Sequence, residues 1–154
     1  MTDRAQQLAN VELFAGLKPV ALHLIARVAT EETHPSNTKL FEHGAVGDRL
    51  YLILEGKVRI GRTVPGMGEE ALAVLGPGDA FGEMALLDEA PRSADATVHE
   101  RCRLLTITKG AFDDLLFIHR DLAYEVLWNM VRVLLGRLRE TNEKLTFLSV
   151  TGRF

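Results

Sequence analysis

The spacing of apolar positions changes twice along the chain. Between residues 2 and 34, Leu8, Val11, Leu13, Phe14 and Leu17 recur at short helical intervals. After Pro19, residues Leu22, Ile25, Ala26 and Ala29 fall on one helical face, so this stretch predicts a helical preface. From Thr38 to Thr108 the pattern becomes short apolar runs, at 50–54, 58–60, 71–75 and 104–108, separated by turn residues. Runs of this size and spacing predict a small all-β sandwich or barrel. Glu55-Gly56-Lys57 predicts a sharp hairpin reversal with Gly56 at positive φ. Pro65-Gly66-Met67-Gly68 reads as a loop tip and Gly76-Pro77-Gly78-Asp79 as another turn.

Beyond Lys109 the period is helical again, first around Phe112, Leu115 and Leu116, then in a long element from about Asp121 to Leu148. Within it, Leu127, Val131, Leu134, Leu138, Thr141, Leu145 and Leu148 alternate spacings of four and three, a heptad seam with one polar member. A second stripe of Leu122, Val126, Met130 and Val133 lies to one side. Two apolar faces predict that one packs on the β-region and the other meets a partner helix. Packing wholly within the monomer is the competing reading, but a chain this short shows no second long helix to fill the seam, so a homodimer through 121–148 is expected.

Composition narrows the class. The chain has 154 residues, 47% hydrophobic and 25% charged, with a formal charge of −3, as expected of one globular domain. Cys102 is the only cysteine, which excludes an intrachain disulfide and fits a reducing, cytoplasmic setting. No long uncharged apolar run predicts a membrane span. With 18 basic against 21 acidic residues, the chain lacks the positive balance of a sequence-independent nucleic-acid binder. His23, His34, His43, His99 and His119 are scattered, with no metal-ligand spacing, and Ser93 has no recognisable nucleophile context. Neither a metal site nor an enzyme is expected.

The stretch from Gly78 to Ala96 carries the chemistry. It combines a glycine at a strand end, a segment Met84–Leu87 able to form one helical turn, and Arg92 nine residues after Glu83. Free backbone N–H groups beside the small residues Gly82 and Ala85 suit an anion. Arg92 adds a guanidinium fork and Ser93 a hydroxyl donor. A carboxylate beside a phosphate is repulsive, so Glu83 makes sense facing a sugar hydroxyl. Together these residues describe a site for a ribose phosphate.

Phe81-Gly82-Glu83-Met84-Ala85-Leu86-Leu87 and Pro91-Arg92-Ser93-Ala94 resemble the phosphate-binding cassette of the cyclic-nucleotide-binding domains in the cyclic-AMP receptor protein and Fnr-like family and in cyclic-nucleotide-dependent kinases. The likeness extends upstream through 50–58, similar to early β-roll strands, and downstream through 141–153, similar to the end of a dimerisation helix and its hinge. It implies a mainly β fold with flanking helices: an antiparallel β-roll of jelly-roll type over 1–120 with N-terminal helices, a long C-terminal helix over 121–148 and a hinge-like tail over 149–154. It further implies that Arg92 and Ser93 bind a cyclic phosphate and that Glu83 binds the ribose 2′-hydroxyl. Gly82, Met84, Ala85 and Ala94 would complete the cassette. Ile60, Leu72, Ala73 and Leu75 would form an apolar wall against the base, and Thr141 and Asn142 would read it from the helix. Asn142 stands where the family has serine. Ser93 with Thr141 points to cyclic AMP, with cyclic GMP as the other candidate.

The chain stops at Phe154, where DNA-binding family members continue into a helix-turn-helix, so no DNA contact by this chain is expected. The expected function is a non-enzymatic cyclic-nucleotide sensor that transmits occupancy through its last helix to a protein effector. The alternatives are a β-roll kept for dimerisation or protein interaction, and a ligand domain cut from a DNA-binding regulator.

Overall fold

The computed structural model describes residues 3–83, 87 and 90–151. Helix α1 (Asp3–Ala9), a 3-10 turn (Glu12–Phe14) and helix α2 (Pro19–Val28) form the preface. They bury Leu8, Leu13, Phe14, Leu22 and Ile25. Pro19 sits in the first turn of α2, where a missing N–H costs nothing. Strand β1 (Thr30–His34) begins inside the stretch expected to be helical. Its sequence Thr-Glu-Glu-Thr-His has no apolar alternation, and the strand is specified by pairing with the last strand, from Thr30 opposite Thr106 to His34 opposite Cys102.

Strands β2 (Lys39–Phe41), β3 (Arg49–Val64), β4 (Gly68–Leu75), β5 (Ala80–Phe81) and β6 (Asp95–Thr108) complete an antiparallel sheet in the order β1-β6-β3-β4. Strand β2 adds to β6 and β5 to β3. The antiparallel roll with flanking helices and a long last helix is the expected architecture. Side chains alternate along β3, so Leu50 and Leu52 face the helices while Tyr51 and Ile53 face into the roll. Both faces are covered, which is why this strand reads as an unbroken apolar run.

No hairpin forms at Glu55-Gly56-Lys57. Gly56 has φ of +87°, yet β3 runs straight through it, and shifts of register against β6 between Ile53 and Val58 absorb the irregularity as a bulge. A Cβ on Gly56 would lie 2.1 Å from the Arg101 carbonyl oxygen, so close strand approach as well as backbone conformation demands glycine. The reversal comes at Pro65-Gly66-Met67, between β3 and β4. At the next turn the Gly76 N–H donates to Asp79 Oδ2 at 2.9 Å and the Asp79 N–H to the Gly76 carbonyl at 3.0 Å.

Helix α3 (Lys109–Ile118) is capped by the Thr108 hydroxyl, which accepts from the Ala111 N–H. Helix α4 (Arg120–Thr151) continues past the expected end at Leu148, through the first part of the stretch read as a hinge; residues 152–154 lie outside the described residues. Leu122, Val126 and Met130 join the same core as Leu50 and Ile107. The buried Asn129 amide staples α4 to the preface, donating to the carbonyls of Leu13 at 3.0 Å and Ala15 at 2.9 Å. The other apolar face is uncovered: Leu127, Val131, Leu138 and Leu145 are 41, 45, 54 and 55% exposed.

Candidate functional site

Strand β5 ends at Phe81, and Gly82 follows with φ of +84°. A Cβ at Gly82 would meet Arg92 Nη1 at 2.6 Å and the Arg49 carbonyl oxygen at 3.1 Å, so only glycine lets the guanidinium lie against this turn. Arg92 is only 4% exposed. Its Nη1 donates to the Gly82 carbonyl at 2.9 Å and its Nη2 to the Arg49 carbonyl at 2.8 Å, while its Nε is buried without a partner among the described residues. Among the described residues no carboxylate forms an ion pair with it. Burial lowers its pKa, and the neighbouring Tyr51, Asp48 and Glu83 oppose that shift.

The backbone of Arg92 is held as firmly as its side chain. Its N–H donates to the Ala45 carbonyl and its carbonyl accepts from the Gly44 N–H, both at 2.8 Å. The His43 N–H in the same loop donates to Asp95 Oδ1 at 2.6 Å, which holds the Asp95 carboxyl below the usual carboxylate range. Phe41 at the end of β2 lies under the guanidinium, 4.2 Å from ring centroid to Cζ. Tyr51 and Phe81, opposite each other on β3 and β5, stack at 4.9 Å and extend that aromatic surface.

The opposite end of the site is an ion pair. Glu83 is 3% exposed, and its carboxylate accepts from Nη1 of Arg137 on α4, whose Nη2 donates to the Ala80 carbonyl at 2.7 Å. Between the two ends lies a cavity of about 240 Å³ lined on one side by Ile60, Ala73 and Leu75 and on the other by Pro91, Arg92, Ser93 and Ala94. A buried cation, an exposed hydroxyl, an apolar wall and a carboxylate thus converge on one space, which suits a small ligand with an anionic group, an apolar face and a hydroxyl.

Of the residues singled out in the sequence, Gly82, Glu83, Arg92, Ser93, Ala94, Ile60, Ala73 and Leu75 line this one cavity. Met84 and Ala85 lie outside the described residues. Leu72 does not join the wall: it is 58% exposed, and the pairing of β3 with β4 skips it, Ile60 lying opposite Ala73 and Gly61 opposite Ala71, so it sits at a bulge while Ala73 and Leu75 line the cavity. Thr141 and Asn142 are exposed and absent from the cavity walls, and the Thr141 hydroxyl donates to the Arg137 carbonyl of its own helix at 3.0 Å. The helix residue that reaches the cavity is Arg137, one turn earlier. Its signal was present in the sequence, since it continues the buried stripe of Leu122, Val126, Met130 and Val133 by one more step of four and is the charged member of it. Phe41 carried no such signal, whereas Phe81 opens the cassette-like segment without itself being singled out.

The sequence model described as the cyclic nucleotide-binding domain matches residues 31–119. The chain belongs to this family. As a cyclic nucleotide-binding domain it is 34% identical, over 95% of its length, to the CRP-like cAMP-activated global transcriptional regulator of Mycobacterium tuberculosis, of which it covers 65%. The crystal structure of the Thermus thermophilus catabolite activator protein superposes with a TM-score of 0.77 at 40% identity, covering 90% of this domain and 63% of that chain. The regulatory domain of Toxoplasma gondii PKA, crystallised with cAMP, superposes with a TM-score of 0.66 at 31% identity, covering 73% and 42% respectively. The chain spans a little under two thirds of the bacterial regulators it matches. Among the described residues no helix is long and apolar enough to cross a membrane, and no cluster of three His, Cys, Asp or Glu is placed to hold a metal ion.

Proposed function

We propose that this domain is a sensor for a cyclic nucleotide, with cyclic AMP as the preferred ligand, and that occupancy is transmitted through α4. The observation that carries the reading is Arg92: a buried guanidinium with a partnerless Nε, no carboxylate ion pair among the described residues, and an outlook onto a cavity. A cyclic phosphate supplies the missing negative charge and accepts from Arg92 and Ser93. Ile60, Ala73 and Leu75 offer the base an apolar surface, and Glu83 offers the ribose 2′-hydroxyl an acceptor.

Transmission follows from where Glu83 is engaged. Its carboxylate holds Arg137, so a hydroxyl donated to Glu83 competes with or reorients a charged link between the cavity and the second half of α4. A ligand that interacts differently with two placements of the helix shifts their populations. The exposed seam through Leu127, Val131, Leu138 and Leu145 favours a homodimer, in which Thr141 and Asn142 of a neighbouring helix become available to the base. Binding without hydrolysis, and output to a protein effector, complete the proposal.

Calorimetric titration of nucleotide-stripped protein with cyclic AMP and cyclic GMP, alongside Arg92→Ala and a mass measurement in solution, tests it. Binding that falls by about a hundredfold or more in Arg92→Ala supports the sensor. A folded dimer that binds neither ligand overturns it in favour of a dimerisation module, and equal affinities for the two nucleotides overturn the preference for cyclic AMP.

A further inference from the structure

A buried guanidinium has to be compensated, and the type of compensation decides whether it remains useful to a ligand. A carboxylate neutralises it and competes with any incoming anion. Carbonyl oxygens and an aromatic face stabilise the cation yet leave its net charge intact. Arg92 has only the second kind among the described residues: two carbonyls, and the Phe41 ring at 4.2 Å with Tyr51 farther away at 5.9 Å.

We propose that Phe41 is a positioning residue for anion binding: its ring face holds the Arg92 guanidinium, unneutralised, in the orientation that presents Nε to the ligand. The assignment rests on the reading of Arg92 as the phosphate-binding group. Two features of the fold make Phe41 suited to the task. It ends β2, and the loop that follows it grips the Arg92 backbone through Gly44 and Ala45, so ring and guanidinium are fixed to one segment. Its ring also leans on Tyr51 at 5.7 Å and Phe81 at 6.1 Å, which restricts its own rotation. A guanidinium that slides off the ring loses that support and must reorder before it can bind, so affinity for phosphate falls; Phe41 also lines the cavity, and the Arg92→Ala background below separates a direct ligand contact from this role.

The test is calorimetric titration of cyclic AMP into wild type, Phe41→Leu and Phe41→Tyr, and into protein with mono-, di- and trifluorinated phenylalanine at position 41. Phe41→Leu should bind roughly ten- to thirtyfold more weakly, Phe41→Tyr should return to within about threefold of wild type, and affinity should decline stepwise with fluorine, which drains the ring face at nearly constant volume. In an Arg92→Ala background, Phe41→Leu should have no further effect. Wild-type affinity in Phe41→Leu overturns the proposal, and a flat fluorination series does so as well, because a purely packing role is insensitive to ring charge. Should wild type bind no cyclic nucleotide, the sensor reading fails separately, and the Arg92 Nε–H resonance during titration with inorganic phosphate decides the point. A shift that weakens in Phe41→Leu supports the assignment; the same response in both proteins, or none in either, overturns it.

Discussion

Arg92 and Arg137 stand at opposite ends of one cavity and are satisfied in opposite ways. Arg137 meets the Glu83 carboxylate, so that end is electrically closed and a ligand can engage it only by exchange. Among the described residues Arg92 meets carbonyls and an aromatic ring and no carboxylate, so that end offers a cation without an acidic partner. On the proposed sensor reading, the anionic part of a ligand gains affinity at the Arg92 end. Its hydroxyl, by displacing an existing contact, gains coupling to α4 at the other.

The sharpest way to break this contrast is Arg92→Ala. Two charge-assisted bonds of roughly 1.5 to 3 kcal/mol each are lost, so cyclic AMP binding should weaken by about a hundredfold or more in calorimetry. The unfolding temperature should move by only a few degrees, because an uncompensated buried charge leaves with the side chain. An equal loss of affinity and stability would mean that the two ends do not differ.

Glu83→Gln addresses the closed end. It removes the charge from the acceptor and from the partner of Arg137, and should weaken cyclic AMP binding about tenfold. It should also speed amide exchange in α4 around Arg137 even without ligand, a change that Arg92→Ala should not produce. Arg137→Gln comes next. It leaves a buried carboxylate without its cation, but Arg137 itself is partly exposed, so the expected cost is about 1 kcal/mol in denaturant unfolding. Affinity should change less than threefold, because Glu83 is then free for the ligand. A tenfold fall would place Arg137 among the ligand contacts rather than in the link to α4.

The smallest effect is acid sensitivity at the Arg92 end. The Asp95 carboxylate accepts from the His43 N–H in the loop that grips Arg92, and this holds its pKa below that of the unfolded chain. Its contribution to stability is therefore complete above the unfolded-state pKa and is lost as pH falls through the lowered native value. Asp95→Asn should be less stable than wild type at neutral pH, and the gap should narrow under acid in parallel denaturant titrations. A gap independent of pH would assign the loss to packing.

Legibility differed by kind of interaction. The cassette was readable because Gly82, Glu83, Arg92 and Ser93 lie within one short segment whose residue types restrict each other. The two stripes of α4 were readable because a helix maps sequence spacing directly onto faces, and the buried and exposed sets in the fold follow those stripes. Strand β1 escaped because Thr-Glu-Glu-Thr-His is polar and its pairing partner lies more than sixty residues away. The hairpin at Gly56 was misplaced because a glycine at positive φ serves a turn and a bulge equally well, and only the Arg101 backbone pressed against it distinguishes them. Leu72 falls outside the wall because β4 is irregular there against β3, a break in pairing that the apolar run 71–75 does not reveal.

By itself the sequence determined the roll with its flanking helices, the grouping of Gly82, Glu83, Arg92 and Ser93 in one short segment, and a last helix with one face for its own core and one left over. These are local properties, set by periodicity and by residues close in the chain. Tertiary structure alone decided what surrounds each charge. Phe41 comes to Arg92 across fifty-one residues and Arg137 to Glu83 across fifty-four, and neither spacing has a period. Whether a buried cation is neutralised or kept open depends on which distant side chain the packed sheet and helix deliver to it, and that is fixed only when both are folded together.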